Sequence, residues 1–88
     1  MRNCIMSIAV ILLNVKVNSE VEIIGKLKEL MQGDQSLKYE IHGVYGVYDL
    51  ILKIEAESME SLRNILAKIR RVDKIQSTVT MLVVDKEE

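Results

Sequence analysis

Two hydrophobic rhythms alternate along the chain. Residues 7–17 carry an unbroken apolar run, Val10-Ile11-Leu12-Leu13, that passes into the alternating Asn14-Val15-Lys16-Val17. A short run of this kind predicts a strand covered on both faces, and Lys16 and Asn18 mark its emergence into water. A helical rhythm follows. Ile23, Ile24, Leu27, Leu30 and Met31 fall on one stripe of a 3.6-residue period. In front of it, Ser19-Glu20-Val21-Glu22 reads as a capping box, with the Glu22 amide donating to the Ser19 hydroxyl and the Glu22 side chain reaching back. Gly33 is placed to end this helix in a left-handed conformation. Gly25, in mid-helix, costs about 1 kcal/mol against alanine and suggests a close approach to a sheet.

The second half repeats the pattern. Over residues 37–44, Leu37, Tyr39 and Ile41 alternate with Lys38, Glu40 and His42, which predicts a second strand. A third strand is predicted over 48–56, with Tyr48, Leu50, Leu52 and Ile54 on one face and Asp49, Ile51, Lys53 and Glu55 on the other. The tight turn near Tyr45-Gly46-Val47 makes these two strands an antiparallel hairpin. Ser58 is the next N-cap, and Met59, Leu62, Ile65, Leu66 and Ile69 form a second helical stripe. Arg70 and Arg71 then complement the negative end of the helix dipole. Residues 75–85 make a fourth strand before a charged tail over 85–88 that is expected to fray. Cap and stripe recur at a spacing of 39 positions, Ser19 with Ser58, Ile23 with Leu62, Leu27 with Leu66 and Leu30 with Ile69. Two βαβ halves with right-handed crossovers interleave into an α+β, ferredoxin-like βαββαβ sandwich with both helices on one face of the sheet. Its other face should carry Ile8, Val10 and Leu12 from the first strand, Asp49, Ile51 and Lys53 from the third, and Gln76, Thr78, Thr80, Leu82 and Val84 from the fourth. An apolar centre with a polar rim asks to be covered, and a second copy is the simplest cover, as in the dimeric α/β barrel arrangement.

Composition sharpens that expectation. The chain has 88 residues, enough for one domain spanning 1–88, and it is 49% hydrophobic with neither Phe nor Trp. A domain this short buries only about 60% of its extended surface, so the aliphatic excess points to self-association. Twelve basic and thirteen acidic residues are interleaved to a net charge of −1. That balance argues against direct nucleic-acid binding, which favours a basic stripe. The single cysteine, Cys4, excludes an internal disulfide and reads as incidental. With only His42 beside it, a metal site or a histidine-based triad is not expected, and no cofactor is implied. His42 reads as a solvated or interface strand residue, and Met59 and Met81 as gap-filling side chains. The N-terminal apolar run has no small-residue cleavage site and is too short to span a bilayer, which predicts a cytoplasmic chain without membrane contact.

The stretch Gly46-Val47-Tyr48-Asp49-Leu50-Ile51-Leu52-Lys53-Ile54 resembles the Gly-x-Tyr-Asp strand of Lrp/AsnC-family regulators. Ser77-Thr78-Val79-Thr80-Met81-Leu82-Val83-Val84 is similar to the threonine-bearing last strand of the same ligand-binding domain, the RAM domain (regulation of amino-acid metabolism). The resemblance covers roughly residues 7–86 and fits the stand-alone form that lacks a helix-turn-helix domain. It implies a dimeric sandwich, rings such as octamers or decamers, small amino-acid effectors held between subunits, and interaction with full-length regulators of the family. It also implies ligand contacts at Gly46, Tyr48, Asp49, Thr78 and Thr80. Tyr45 stands where many family sequences place Ser or Thr, and its ring can fill part of a pocket or pack at an interface.

Each of these residues also has a plain structural use. Asp49 can cap the hairpin, the threonines suit any strand, and buried tyrosines are common at interfaces. For Asp49 the chemistry of a ligand role is direct: a carboxylate pairs with an ammonium, while amides at a glycine turn receive a carboxylate. The expected function is a ligand-sensing and assembly module rather than an enzyme. The alternatives are an amino-acid-binding domain of the ACT type, a small dimeric α/β barrel enzyme, which would need a base such as histidine in a polar cavity, and assembly without a ligand.

Overall fold

A computed structural model describes residues 7–83. Cys4, Val84 and the charged tail lie outside the described residues. The elements are strand β1 (Ser7–Val15), helix α1 (Glu20–Gln32), strands β2 (Leu37–Gly43) and β3 (Leu50–Ala56), helix α2 (Met59–Ile69) and strand β4 (Ile75–Leu82), which is the βαββαβ order. All pairings are antiparallel, and the sheet order is β2-β3-β1-β4.

The buried side of the two central strands is set by alternation. Ala9, Ile11, Leu13 and Val15 of β1 and Leu50, Leu52, Ile54 and Ala56 of β3 are buried against Ile23, Leu27 and Met31 of α1 and Leu62, Ile65 and Ile69 of α2. The expected cover on both sides of the Val10–Leu13 run is not present within one subunit: Val10 and Leu12 are half-buried, and only the odd-numbered residues are fully enclosed. Ile24, Leu30 and Leu66 flank the core, while Met59, in the first turn of α2, is exposed rather than packed.

Helix ends correct the sequence reading in an instructive way. The Ser58 hydroxyl accepts from the Ser61 amide at 3.1 Å, as a cap should. Ser19 makes no side-chain cap: its backbone sits at φ −108° and ψ 4° rather than in the extended conformation of Ser58, and its amide, the target of a reaching Glu22, donates to the Lys16 carbonyl. The Glu22 carboxylate is taken instead by the Lys74 ammonium at 2.8 Å. That hydrogen bond, and then the charge of Glu22, hold the Lys74 pKa above the ordinary lysine value. Gly33 ends α1 in a right-handed, not left-handed, conformation, so no glycine is required there. Gly25 approaches nothing: it is exposed, and a Cβ placed on it would meet no atom within 4 Å. Gly25→Ala is therefore expected to stabilise the domain by about 1 kcal/mol through helix propensity alone. A rise in melting temperature of about 4–8 °C checks it.

Strand β1 ends at Val15, short of Val17, because the chain turns through a positive φ at Asn18 and Lys16 bonds through its amide to the Lys74 carbonyl. Near that point β4 carries an extra residue. Val15 pairs with Ile75, but Asn14 pairs with Ser77, so Gln76 is a bulge. One added residue exchanges the faces of everything after it. Thr78 and Thr80 stand opposite Leu13 and Ile11 and so share the helix-side face, and Leu82 follows opposite Ala9. Val79 and Met81 stand opposite Leu12 and Val10 on the open face. This reverses the assignment expected for Thr78, Thr80 and Leu82, leaves Gln76 unpaired at the bulge, and makes the open face more apolar.

That open face is divided. Ile8, Val10, Leu12, Ile51, Val79 and Met81 form one half. Lys38, Glu40 and His42 of β2, with Lys53 and Glu55 of β3, form the other. Opposite charges face each other across the strands, Lys38 with Glu55 and Glu40 with Lys53. Lys53 also pairs with Glu55 along its own strand at 3.7 Å, and His42 with Glu40 at 3.2 Å.

Candidate functional site

The hairpin between β2 and β3 ends in a turn fixed at its base and free at its tip. The Val44 amide donates to the Asp49 carbonyl, and the Asp49 amide donates to the Leu13 carbonyl, each at 2.9 Å. The Asp49 side chain is anchored too: its Oδ2 accepts from the Val15 amide at 3.0 Å. This bond closes the end of β1 where the strand leaves the ladder, a structural role different from the hairpin cap expected of Asp49. Its second carboxylate oxygen, Oδ1, has no hydrogen bond among the described residues. Tyr48 and Asp49 belong to the turn, and β3 begins at Leu50, two residues later than the alternation suggests.

Between these anchors, the amides of Tyr45, Gly46, Val47 and Tyr48 have no backbone partner among the described residues. Gly46 holds φ at +140°, a value that L side chains adopt only with strain. It is thus the one glycine whose conformation the turn requires. The tip carries apolar side chains into water, with Tyr45 fully exposed and Val47 at 82% exposure.

Beneath the turn lies a cleft of about 370 Å³ lined by Glu20, Ile24, Gly43, Val44, Tyr45, Asp49 and Leu50. The size falls in the usual range of small-molecule sites, about 300–1,000 Å³. Its position follows from topology. The crossover from β1 starts α1 at the same end of the sheet as the β2–β3 turn, which brings the first turn of the helix beside the hairpin.

Of the five residues expected to contact ligand, Asp49 lines this cleft. Gly46 and Tyr48 shape the turn above it without forming its wall. Thr78 and Thr80 are elsewhere. They lie on edge strand β4, separated from β3 by the whole of β1, which is about 10 Å at the usual strand spacing. One subunit does not bring the two halves of the expected site together. The sequence reading missed Glu20 and Ile24, whose spacing served only the helix pattern; their place beside the hairpin is visible only once the crossover is built. His42 is on the charged half of the open face and takes no part in the cleft. Among the described residues, no group of three or more His, Cys, Asp or Glu side chains is arranged to hold a metal ion. No described helix is long and apolar enough to cross a membrane.

Fold and cleft together define a ferredoxin-like α+β domain with a solvent-open site at one end of its sheet. The model of the Lrp/AsnC ligand-binding domain matches residues 39–87. The crystal structure of FFRP-DM1 is 34% identical, with a TM-score of 0.73 over 89% of this chain and 99% of that one. A hypothetical protein from Pyrococcus horikoshii is 33% identical, with a TM-score of 0.74 over 91% and 92% of the two chains. Escherichia coli AsnC shares the fold at 24% identity and a TM-score of 0.72; the match covers 91% of this chain and 52% of AsnC. No curated protein sequence matches significantly. The chain belongs to the Lrp/AsnC family of ligand-binding domains. That is a family of regulatory ligand-binding modules, which favours the sensing reading over the enzyme alternative.

Proposed function

We propose that this domain binds a small amino-acid effector between subunits and couples that binding to assembly, through which it modulates transcriptional regulators of its own family. The observation that carries the reading is the cleft beneath the β2–β3 turn, lined by Asp49, whose Oδ1 has no hydrogen bond among the described residues, and by Tyr45, the first of four turn residues whose amides have no backbone partner there. An ammonium fits that oxygen and a carboxylate those amides, and an amino acid offers both. Subunits pair through the open face, apolar half against apolar half, since an uncovered patch of that kind is unusual on a monomer. Higher rings of dimers set the turn of one subunit near another, and a site shared in this way is the arrangement in which Thr78 and Thr80 join Gly46, Tyr48 and Asp49. Assembly without any ligand is the second reading, and the bond from Asp49 to the Val15 amide favours it.

Two measurements decide between them. Light scattering with size exclusion is expected to give a dimer or larger ring at micromolar concentration, and a monomer there overturns the assembly. A thermal-shift panel of the common amino acids is expected to contain at least one stabiliser. A ligand at 100 times its dissociation constant adds about 2.7 kcal/mol. A panel without any shift leaves assembly alone as the function.

A further inference from the structure

The cleft holds a second carboxylate that the preceding reading does not use. Glu20 opens α1 and lines the cleft together with Asp49. The other acid of that helical turn, Glu22, is committed to Lys74. Glu20 has no ion-pair partner among the described residues, and no Lys, Arg or His stands in the lining. The positive end of a helix ordinarily draws an anion. Here two glutamates already complement it, so the cleft is left with negative charge on two sides.

The rest of the lining is largely apolar. Ile24, Gly43, Val44, Leu50 and the exposed Tyr45 complete it. An amino acid held by Asp49 at its ammonium and by the turn amides at its carboxylate has its side chain left to lie along those residues. An aliphatic stem is matched by Ile24 and Val44, and a cation at its end is matched by Glu20. A neutral side chain leaves Glu20 without a partner, and an acidic one adds a third carboxylate to a cleft that has no base.

We propose that the cleft selects amino acids bearing a second amine, of the lysine and ornithine type, with Glu20 as the residue that sets the preference. The inference rests on the amino-acid reading of the cleft. Isothermal titration of the whole chain with L-lysine, L-norleucine and L-glutamate separates the two ideas. Norleucine has the four-carbon stem of lysine without its ammonium. Lysine is expected to bind at least tenfold more tightly than norleucine, with glutamate weakest, since a charge-assisted hydrogen bond is about twice as strong as a neutral one. Glu20→Gln is expected to lower lysine affinity about tenfold and leave norleucine unchanged, with the far-ultraviolet dichroism of the variant showing an intact fold. Equal binding of lysine and norleucine to the native chain, or a lysine preference that survives in E20Q, overturns the selectivity and leaves the amino-acid site standing. No binding of any of the three overturns the amino-acid site together with its selectivity.

Discussion

Leu12→Lys is expected to convert the assembly into monomers of unchanged fold. Leu12 lies at the centre of the open face, between Ile51 on one neighbouring strand and Val79 on the other. Within a subunit it is only half-buried, so a lysine there extends its ammonium into water, and the helix-side core loses nothing. In a face-to-face dimer the same ammonium is buried among aliphatic side chains. A buried charge without a partner costs about 3–5 kcal/mol, and every 1.4 kcal/mol is about tenfold in association. Dimerisation is therefore expected to weaken by at least about two orders of magnitude. Twofold symmetry places one such lysine on each partner, which adds repulsion to the desolvation. Size exclusion with light scattering reads the mass, and circular dichroism reads the fold. A dimer that persists unchanged at the same concentration shows that association uses another surface. Lys53→Leu makes the contrasting case on the charged half, because it removes a charge that already has Glu40 across from it and Glu55 beside it.

The sequence made the architecture legible because period and burial agree. The alternation of Leu50, Leu52 and Ile54 against Ile51, Lys53 and Glu55 survives into the fold unchanged. So do the stripes that place Ile23, Leu27, Leu62 and Ile69 in the core. What was not legible came from events of one residue or one hydrogen bond. Ile75, Val79 and Met81 are in phase along the chain and look like one face, and nothing in Gln76-Ser77-Thr78 announces the bulge that separates them. The threonines suit either face, so their own chemistry does not correct the count. Ser19 and Ser58 head segments of similar pattern, yet only Ser58, in extended backbone, caps; the Glu22 that would close a capping box is held by Lys74, 52 residues further along the chain. For the candidate site, the turn from Gly46 to Asp49 was found from its residue types, and Glu20 was not, since it enters through the crossover rather than through any motif.

Asp49 carries two roles, and two substitutions are expected to separate them. Asp49→Ala removes the acceptor for the Val15 amide. The bond is part-buried, so the Val15 amide loses its protein partner in a place only partly open to water. The cost is about 1–3 kcal/mol, a large share of the stability of a small domain, and each kcal/mol lowers the melting temperature by about 4–8 °C. Asp49→Asn keeps an acceptor oxygen of nearly the same shape at the same place and is expected to cost well under the alanine change. The charge is lost in both. An ammonium held by Asp49 makes a charge-assisted bond worth about 1.5–3 kcal/mol, so the asparagine variant is expected to bind an amino-acid effector about ten- to a hundredfold more weakly while melting close to the native temperature. Melting curves and titration of the two variants together read out each role. If the asparagine variant binds with native affinity, the carboxylate serves the strand end alone, and the ammonium of any effector is held elsewhere. If instead asparagine melts as low as alanine, the charge of Asp49, and not merely its acceptor, holds the end of β1 in place, and the loss of binding then follows from a displaced turn.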